Sequence, residues 1–226
     1  MIRSTPQPLP AGGAPPWPRP RGLLLDAMGT LISLRDSVGT TYAAVAAEHG
    51  LRLDAQEIDR AFAVIYSQAP PLAFPGLDGP DLQQAERQWW ADRIDALLNR
   101  LGEAPGTPRL HRDLFERFAD PDLWMVPQDV PGALARWHRQ GLRLAVVSNF
   151  DQRLINLLEA LDLSQWFTAV VISSRAGAGK PSPEPLLQAL ELLELQPREA
   201  WHIGDSPEDA AAAQAAGVPC LLVRRP

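Results

Sequence analysis

Four short stretches of this chain carry residues able to do chemistry: "LLLDAMGTL" (23–31), "VVSNF" (146–150), "GKPSP" (179–183) and "HIGDSPED" (202–209). The first is an apolar run that stops at an acid, Asp26, and then turns through Gly29 and Thr30. The second ends in Ser148 and Asn149, the third offers Lys180, and the fourth offers Asp205 and Asp209. Taken singly, each has a plainer reading, because an aspartate at a strand end is often a helix or turn cap and Gly-Lys-Pro is often only a loop. Brought to one place, carboxylates, a cation and small hydrogen-bonding residues form a set able to hold a divalent metal and a phosphoryl group.

The elements around these stretches make that convergence an expectation. Five short runs, 22–26, 143–148, 169–172, 200–204 and 219–223, are continuously apolar, the pattern of strands covered on both faces. Helix-like segments at 152–161, 183–193 and 207–217 separate the later ones, with Pro183 and Pro207 suited to first-turn positions. This alternation predicts an α/β fold with a parallel, doubly wound sheet, whose ligands sit where the strands end. Each of the four stretches lies at such an end or just before a helix that follows one.

Between the first strand and the second lie about a hundred residues with almost no strand signal, too many for one crossover. The segments 37–50, 55–69 and 81–102 read as amphipathic helices, and Trp90, Ile94, Leu97, Leu98 and Leu101 form one apolar stripe. The domain expectation is therefore a core of 21–34 and 126–226 and an inserted all-helical unit of 35–125. A further helix at 130–140 leads back into the sheet. Trp89 and Trp90 are expected to pack between helices and not to form a stacking surface for a ligand. His202, two residues before a strand-end glycine, is expected to point into a sheet face in a structural role.

The totals bound the class. With 226 residues, 46% hydrophobic and 21% charged, the chain has the make-up of a globular protein. A formal net charge of −6 argues against nucleic acid or an anionic membrane surface as partner. No apolar stretch approaches the roughly 18 residues of a membrane span. Cys220 is the one cysteine, which rules out an intramolecular disulfide and suits a cytoplasmic location. Seven of the first twenty residues are proline, so 1–20 is expected to be a disordered or extended tail.

In order, "DAMGT", "SN", "GKP" and "GDSPED" match the four motifs of the haloacid dehalogenase superfamily, and the chain resembles that family from residue 22 to its end. The helical insertion resembles its type I cap (subfamily IA). The run "GLRLAVVSNFDQRL" and the "QWW" of the insertion resemble the subgroup of haloacid dehalogenase-like hydrolase domain-containing protein three. The resemblance implies a Rossmann-like, HAD-like core with its first strand central and a small helical cap that closes over the site. It makes Asp26 a nucleophile that forms an aspartyl-phosphate with a small phosphorylated substrate. It implies Mg²⁺ held by Asp26, Asp205 and the backbone carbonyl of Met28, while Asp209 holds a metal-bound water or orients Lys180. Thr30 and Ser148, with Asn149 beside them, would bond the nucleophile or the phosphoryl oxygens, helped by an anion nest of the 27–28 amides, and Lys180 would neutralise charge.

One departure matters. Phosphatases of the family carry a second aspartate where this chain has Met28, and that aspartate moves protons. Methionine cannot, so the expectation is a slow phosphohydrolase. Two alternatives stand beside it: a non-catalytic or regulatory module that kept the fold, and a metal-independent 2-haloacid dehalogenase, whose loop also lacks the second acid. The "GDSPED" stretch, with two carboxylates where a Mg²⁺ would bind, weighs against the dehalogenase.

Overall fold

The computed structural model describes residues 18–225, so the tail expected over 1–20 lies, as far as residue 17, outside the described residues. Strand β1 (Gly22–Leu25) leads through a tight loop into the two-residue strand β2 (Ser33–Leu34). Helices α1 (Val38–Glu48), α2 (Ala55–Ser67), α3 (Gly79–Arg100) and α4 (Pro108–Arg117) follow, and β3 (Trp124–Met125) brings the chain back. Then come α5 (Asp129–Arg139), β4 (Arg143–Ser148), α6 (Arg153–Ala160), β5 (Ala169–Ile172) and the single turn α7 (Ser173–Ala176). The chain closes with α8 (Glu184–Leu192), β6 (Ala200–Gly204), α9 (Pro207–Ala216) and β7 (Cys220–Leu222).

The five apolar runs form one parallel sheet in the order β5-β4-β1-β6-β7. Their unbroken apolarity has a direct cause in β1. Leu23 and Leu25 enter the cluster that α5 and α6 build with Leu134, Leu154 and Leu157, whereas Leu24 enters the opposite one, with Leu186 of α8 and Ala212 and Ala213 of α9. Side chains alternate across a strand, so covering both faces demands apolar residues at every position. Leu24 has no exposed surface. A Leu24→Ala variant is therefore expected to lose about 2–5 kcal/mol of stability, read as a lower urea midpoint at unchanged slope.

Register sets the rim. Leu25 pairs with Val146 on one side and Ile203 on the other, so β1, β4 and β6 end nearly level. Because the chain steps from β1 to β4 and β5 on one side before crossing back to β6 and β7, the direction of winding reverses at β1, and a crevice opens there. Asp26, Ser148 and Asp205 all emerge around it.

The helices between β2 and β3 enclose an apolar cluster of their own, with Tyr42, Val45, Ile58, Ile94, Leu97, Leu110 and Leu114. The chain leaves and returns through one antiparallel pair, Ser33 with Met125 and Leu34 with Trp124. Helix α4 goes beyond the expected elements, although its signals stand in the sequence: Thr107 caps the Leu110 amide, Pro108 opens the helix, and Leu110 and Leu114 are spaced to share one face. The pair β2–β3 is too short to leave any periodic trace.

Trp90 leaves the stripe expected for α3. Its indole Nε1 donates to Asp151 Oδ2 at 2.7 Å, in the loop after β4, and its ring lies against the Arg153 guanidinium at 5.0 Å. Trp89 stays among the helices, with its Nε1 donating to the Pro70 carbonyl at 3.1 Å. Arg153, buried, meets Asp151 through Nε at 2.8 Å and Nη2 at 2.6 Å, and donates from Nη1 to the Phe115 carbonyl at 2.9 Å. One buried ion pair thus joins the helical insertion to the loop that follows Asn149. No helix among the described residues is long and apolar enough to cross a membrane.

Candidate active site

The loop after β1 is fixed by its backbone. The Thr30, Leu31 and Ile32 amides all donate to the Ala27 carbonyl, at 3.2, 2.7 and 2.9 Å, and the Gly29 amide donates back to Ile32 at 2.8 Å. Gly29 takes φ +83°, and a Cβ there would lie 2.3 Å from Asp205 Oδ2. Glycine therefore permits both the turn and the approach of the acid. Among the described residues, the amides of Ala27 and Met28 donate to no backbone carbonyl, and the Met28 carbonyl receives no donor. The Met28 side chain is 45% exposed, whereas Thr30 is buried with no partner for its hydroxyl.

Lys180 ties the set together. Its ammonium donates to Asp26 Oδ1 at 2.6 Å, Asp209 Oδ1 at 2.5 Å and the Val147 carbonyl at 3.0 Å. Three hydrogens meet three acceptors, all buried. Burial works to lower the Lys180 ammonium, but the two carboxylates outweigh it and hold it above its ordinary range. Burial raises the Asp26 carboxyl, against the pull of Lys180. Asn149 serves the same lysine from behind: its Nδ2 donates to the Lys180 carbonyl at 2.7 Å and its Oδ1 accepts from the Lys180 amide at 2.7 Å. Its side chain thus fixes the lysine's backbone. Ser148, the buried last residue of β4, directly precedes Asn149 in the chain.

Asp209 is built into a helix start. In "SPED" the Ser206 Oγ accepts from the Asp209 amide, and Asp209 Oδ2 accepts from the Ser206 amide at 3.0 Å, a capping box for α9. The same Oδ2 takes the Ser206 hydroxyl at 2.7 Å and the Asp205 amide at 3.2 Å, while Oδ1 takes Lys180 and His202. Burial would raise this carboxyl, but donation from His202 and Lys180 keeps it well below the usual range. Every approach to Asp209 is therefore occupied by a donor. His202 has the buried placement expected of it, with Nδ1 3.0 Å from the Leu24 carbonyl and Nε2 2.8 Å from Asp209 Oδ1.

Asp26, Asp205 and Asp209 each offer a carboxylate oxygen, and these three oxygens lie within 4.8 Å of one another. Asp205, the exposed member, is pushed up to about 6 by partial burial and by the charges of Asp26 and Asp209. Crowded carboxylates with one acid starved of positive charge are the donor chemistry of a hard divalent cation. The residues therefore fit such a cation, with Asp26, Asp205 and the donor-free Met28 carbonyl open to it and Asp209 already engaged.

The helical insertion looks onto this rim through aromatic residues. Tyr66 stacks between Phe62 at 5.8 Å and Trp90 at 6.4 Å. Burial, and next the charges of Asp151 and Asp26, raise its phenol.

With this geometry in place, comparison with known proteins is specific. A family model described as haloacid dehalogenase-like hydrolase matches residues 20–217. The chain belongs to the haloacid dehalogenase-like hydrolase family. Among its relatives is the haloacid dehalogenase-like hydrolase domain-containing protein 3 of Bos taurus, 35% identical over 91% of this chain and 82% of that one. A phosphoglycolate phosphatase of Cupriavidus necator is 43% identical over 49% of this chain and 50% of its own. In fold, this HAD-like chain is similar to CbbY of Rhodobacter sphaeroides, solved in complex with phosphate, with TM-score 0.64 and 20% identity over 89% of this chain and 85% of that chain.

Proposed function

We propose that the chain is a Mg²⁺-dependent phosphohydrolase of the HAD-like family, acting on a small phosphorylated metabolite through Asp26. The observation that carries this reading is the Lys180 ammonium held between Asp26 and Asp209, with Asp205 standing by. An Asp26 carboxylate oxygen attacks phosphorus, the bond from phosphorus to the ester oxygen breaks with its electron pair on the leaving oxygen, and an aspartyl-phosphate remains. Water then attacks that phosphorus, releasing phosphate and restoring the carboxylate. Thr30 and Ser148 hydroxyls and the Ala27 and Met28 amides hold phosphoryl oxygens, and Lys180 offsets their charge. Asp26, Asp205 and the Met28 carbonyl would hold Mg²⁺, which supplies Lewis-acid polarisation of the phosphoryl group.

Met28 leaves the leaving oxygen without an acid, so turnover is slow, and least impaired on leaving groups that depart unprotonated. The core of 21–34 and 126–226 carries the chemistry, and the helical cap of 35–125 governs entry and excludes water. A single cysteine supports placing this activity in the cytoplasm.

The test is hydrolysis of activated aryl and acyl phosphates with and without Mg²⁺. Metal-dependent phosphate release is expected, and its complete absence overturns the proposal. Metal-independent halide release from a 2-haloacid assigns a dehalogenase instead, and metal binding without turnover assigns a regulatory module.

Asp205 adds a pH signature. Between its ordinary value of 3.8 and about 6, the folded chain holds a proton that the unfolded chain has lost. The penalty of ionising this acid in the folded state is absent below the ordinary value, grows through that window and is complete above it. Mg²⁺ binds only the ionised form and so reverses the sign. Its thermal stabilisation is expected to be negligible near pH 4.5 and on the order of a few degrees near pH 7.5, measured by melting.

A further inference from the structure

The steps above leave one buried titratable ring without work. His202 sits in β6 directly beside Leu24 of β1 and has no exposed surface. Its Nδ1 faces the Leu24 carbonyl, which only accepts, so Nδ1 carries a hydrogen. Its Nε2 faces Asp209 Oδ1. Asp209 already receives Lys180, the Asp205 and Ser206 amides and the Ser206 hydroxyl, an arrangement that only an ionised carboxylate satisfies. Nε2 therefore donates as well, and a ring with hydrogen on both nitrogens is an imidazolium.

The surrounding charges agree. Asp26 and Asp209 stand against one ammonium, Lys180, and the other titratable neighbour, Cys220 in register on β7, has its thiol pushed up to about 11 by burial. A second buried cation balances the second buried carboxylate.

We infer that His202 is a positioning residue of the hydrolytic site: pinned as an imidazolium to the strand that carries the nucleophile, it fixes Asp209 and through it holds Lys180 against Asp26. The geometry makes the link short. Leu24 lies two residues before Asp26, and Asp209 is the one acceptor of Lys180 that sits on a helix and not at the end of β1 or β4. Ser206 fixes one oxygen of Asp209, and His202 fixes the oxygen that the lysine uses.

The kinetic half of this inference rests on the phosphohydrolase reading, so the test has an arm that needs no turnover. Nitrogen-15 NMR of the full chain, with the His202 signals assigned by their loss in His202→Gln, is expected to show hydrogen on both ring nitrogens at assay pH; one protonated nitrogen overturns the inference. The Lys180 ammonium signal is expected to be protected from exchange in the wild type and broadened away in His202→Leu, and an unchanged signal also overturns it.

In kinetics on an activated aryl phosphate, His202→Leu is expected to lower kcat about 10–100-fold with KM within about twofold. His202→Gln, which keeps one donor for Asp209, is expected to recover part of the loss. Lowered melting temperatures with kcat per folded molecule unchanged would mean a structural role alone and end the proposal. A wild type without hydrolysis removes the proposed function, and the two NMR results then decide the inference by themselves.

Discussion

Asp26→Asn is expected to reduce hydrolysis of aryl and acyl phosphates on the order of 10⁴–10⁶-fold while leaving the fold intact. The amide keeps the shape of the side chain but cannot attack phosphorus, and no other carboxylate replaces it. Asp209 is saturated by donors, and Asp205, an exposed residue, belongs to the carboxylate cluster proposed to hold the metal. Lys180 keeps its bonds to Asp209 and Val147, so the clamp survives the exchange. Removing the charge of Asp26 also relieves Asp205, whose carboxyl that charge helps to push up to about 6, so Asp205 is expected to titrate lower in the variant. Rates near wild type, measured beside a melting curve, would show that Asp26 is not the nucleophile.

The sheet was legible because its strands are buried on both faces. Leu23, Leu24 and Leu25 divide between two clusters, and only an unbroken apolar run can do that. The same logic found α1, α2 and α3, whose apolar faces serve a local cluster. It failed where a residue answers to a distant partner. Trp90 sits at the right spacing for the α3 stripe, yet the charge of Asp151, remote in sequence, takes its indole out of that stripe. Asn149 was legible as a polar residue at a strand end, but its bonds to the backbone of Lys180 have no trace in local sequence. His202 was legible as buried and not as a donor to Asp209, because strand alternation reports which face a side chain takes and nothing about the group it meets there.

Met28→Asp is the change that separates a slow enzyme from a retired one. The loop asks nothing of the side chain: the Ala27 carbonyl holds three amides, Gly29 makes the turn, and Met28 is 45% exposed. The variant should therefore fold as the wild type does and offer a carboxyl two residues from Asp26. An acid in that place protonates the leaving oxygen and then takes a proton from the attacking water, work worth about 10²–10⁴-fold in rate, or about 3–5 kcal/mol of barrier. The gain is expected to be largest on alkyl phosphates, whose leaving oxygen needs a proton, and smallest on acyl phosphates, whose leaving oxygen does not. That slope distinguishes proton transfer from a mere change of charge: an added carboxylate acting only on the metal or on Asp205 would shift every substrate by the same factor. A uniform gain would therefore leave the acid unassigned, and no gain on any substrate, with Mg²⁺ still bound, would point to a fold kept for binding alone.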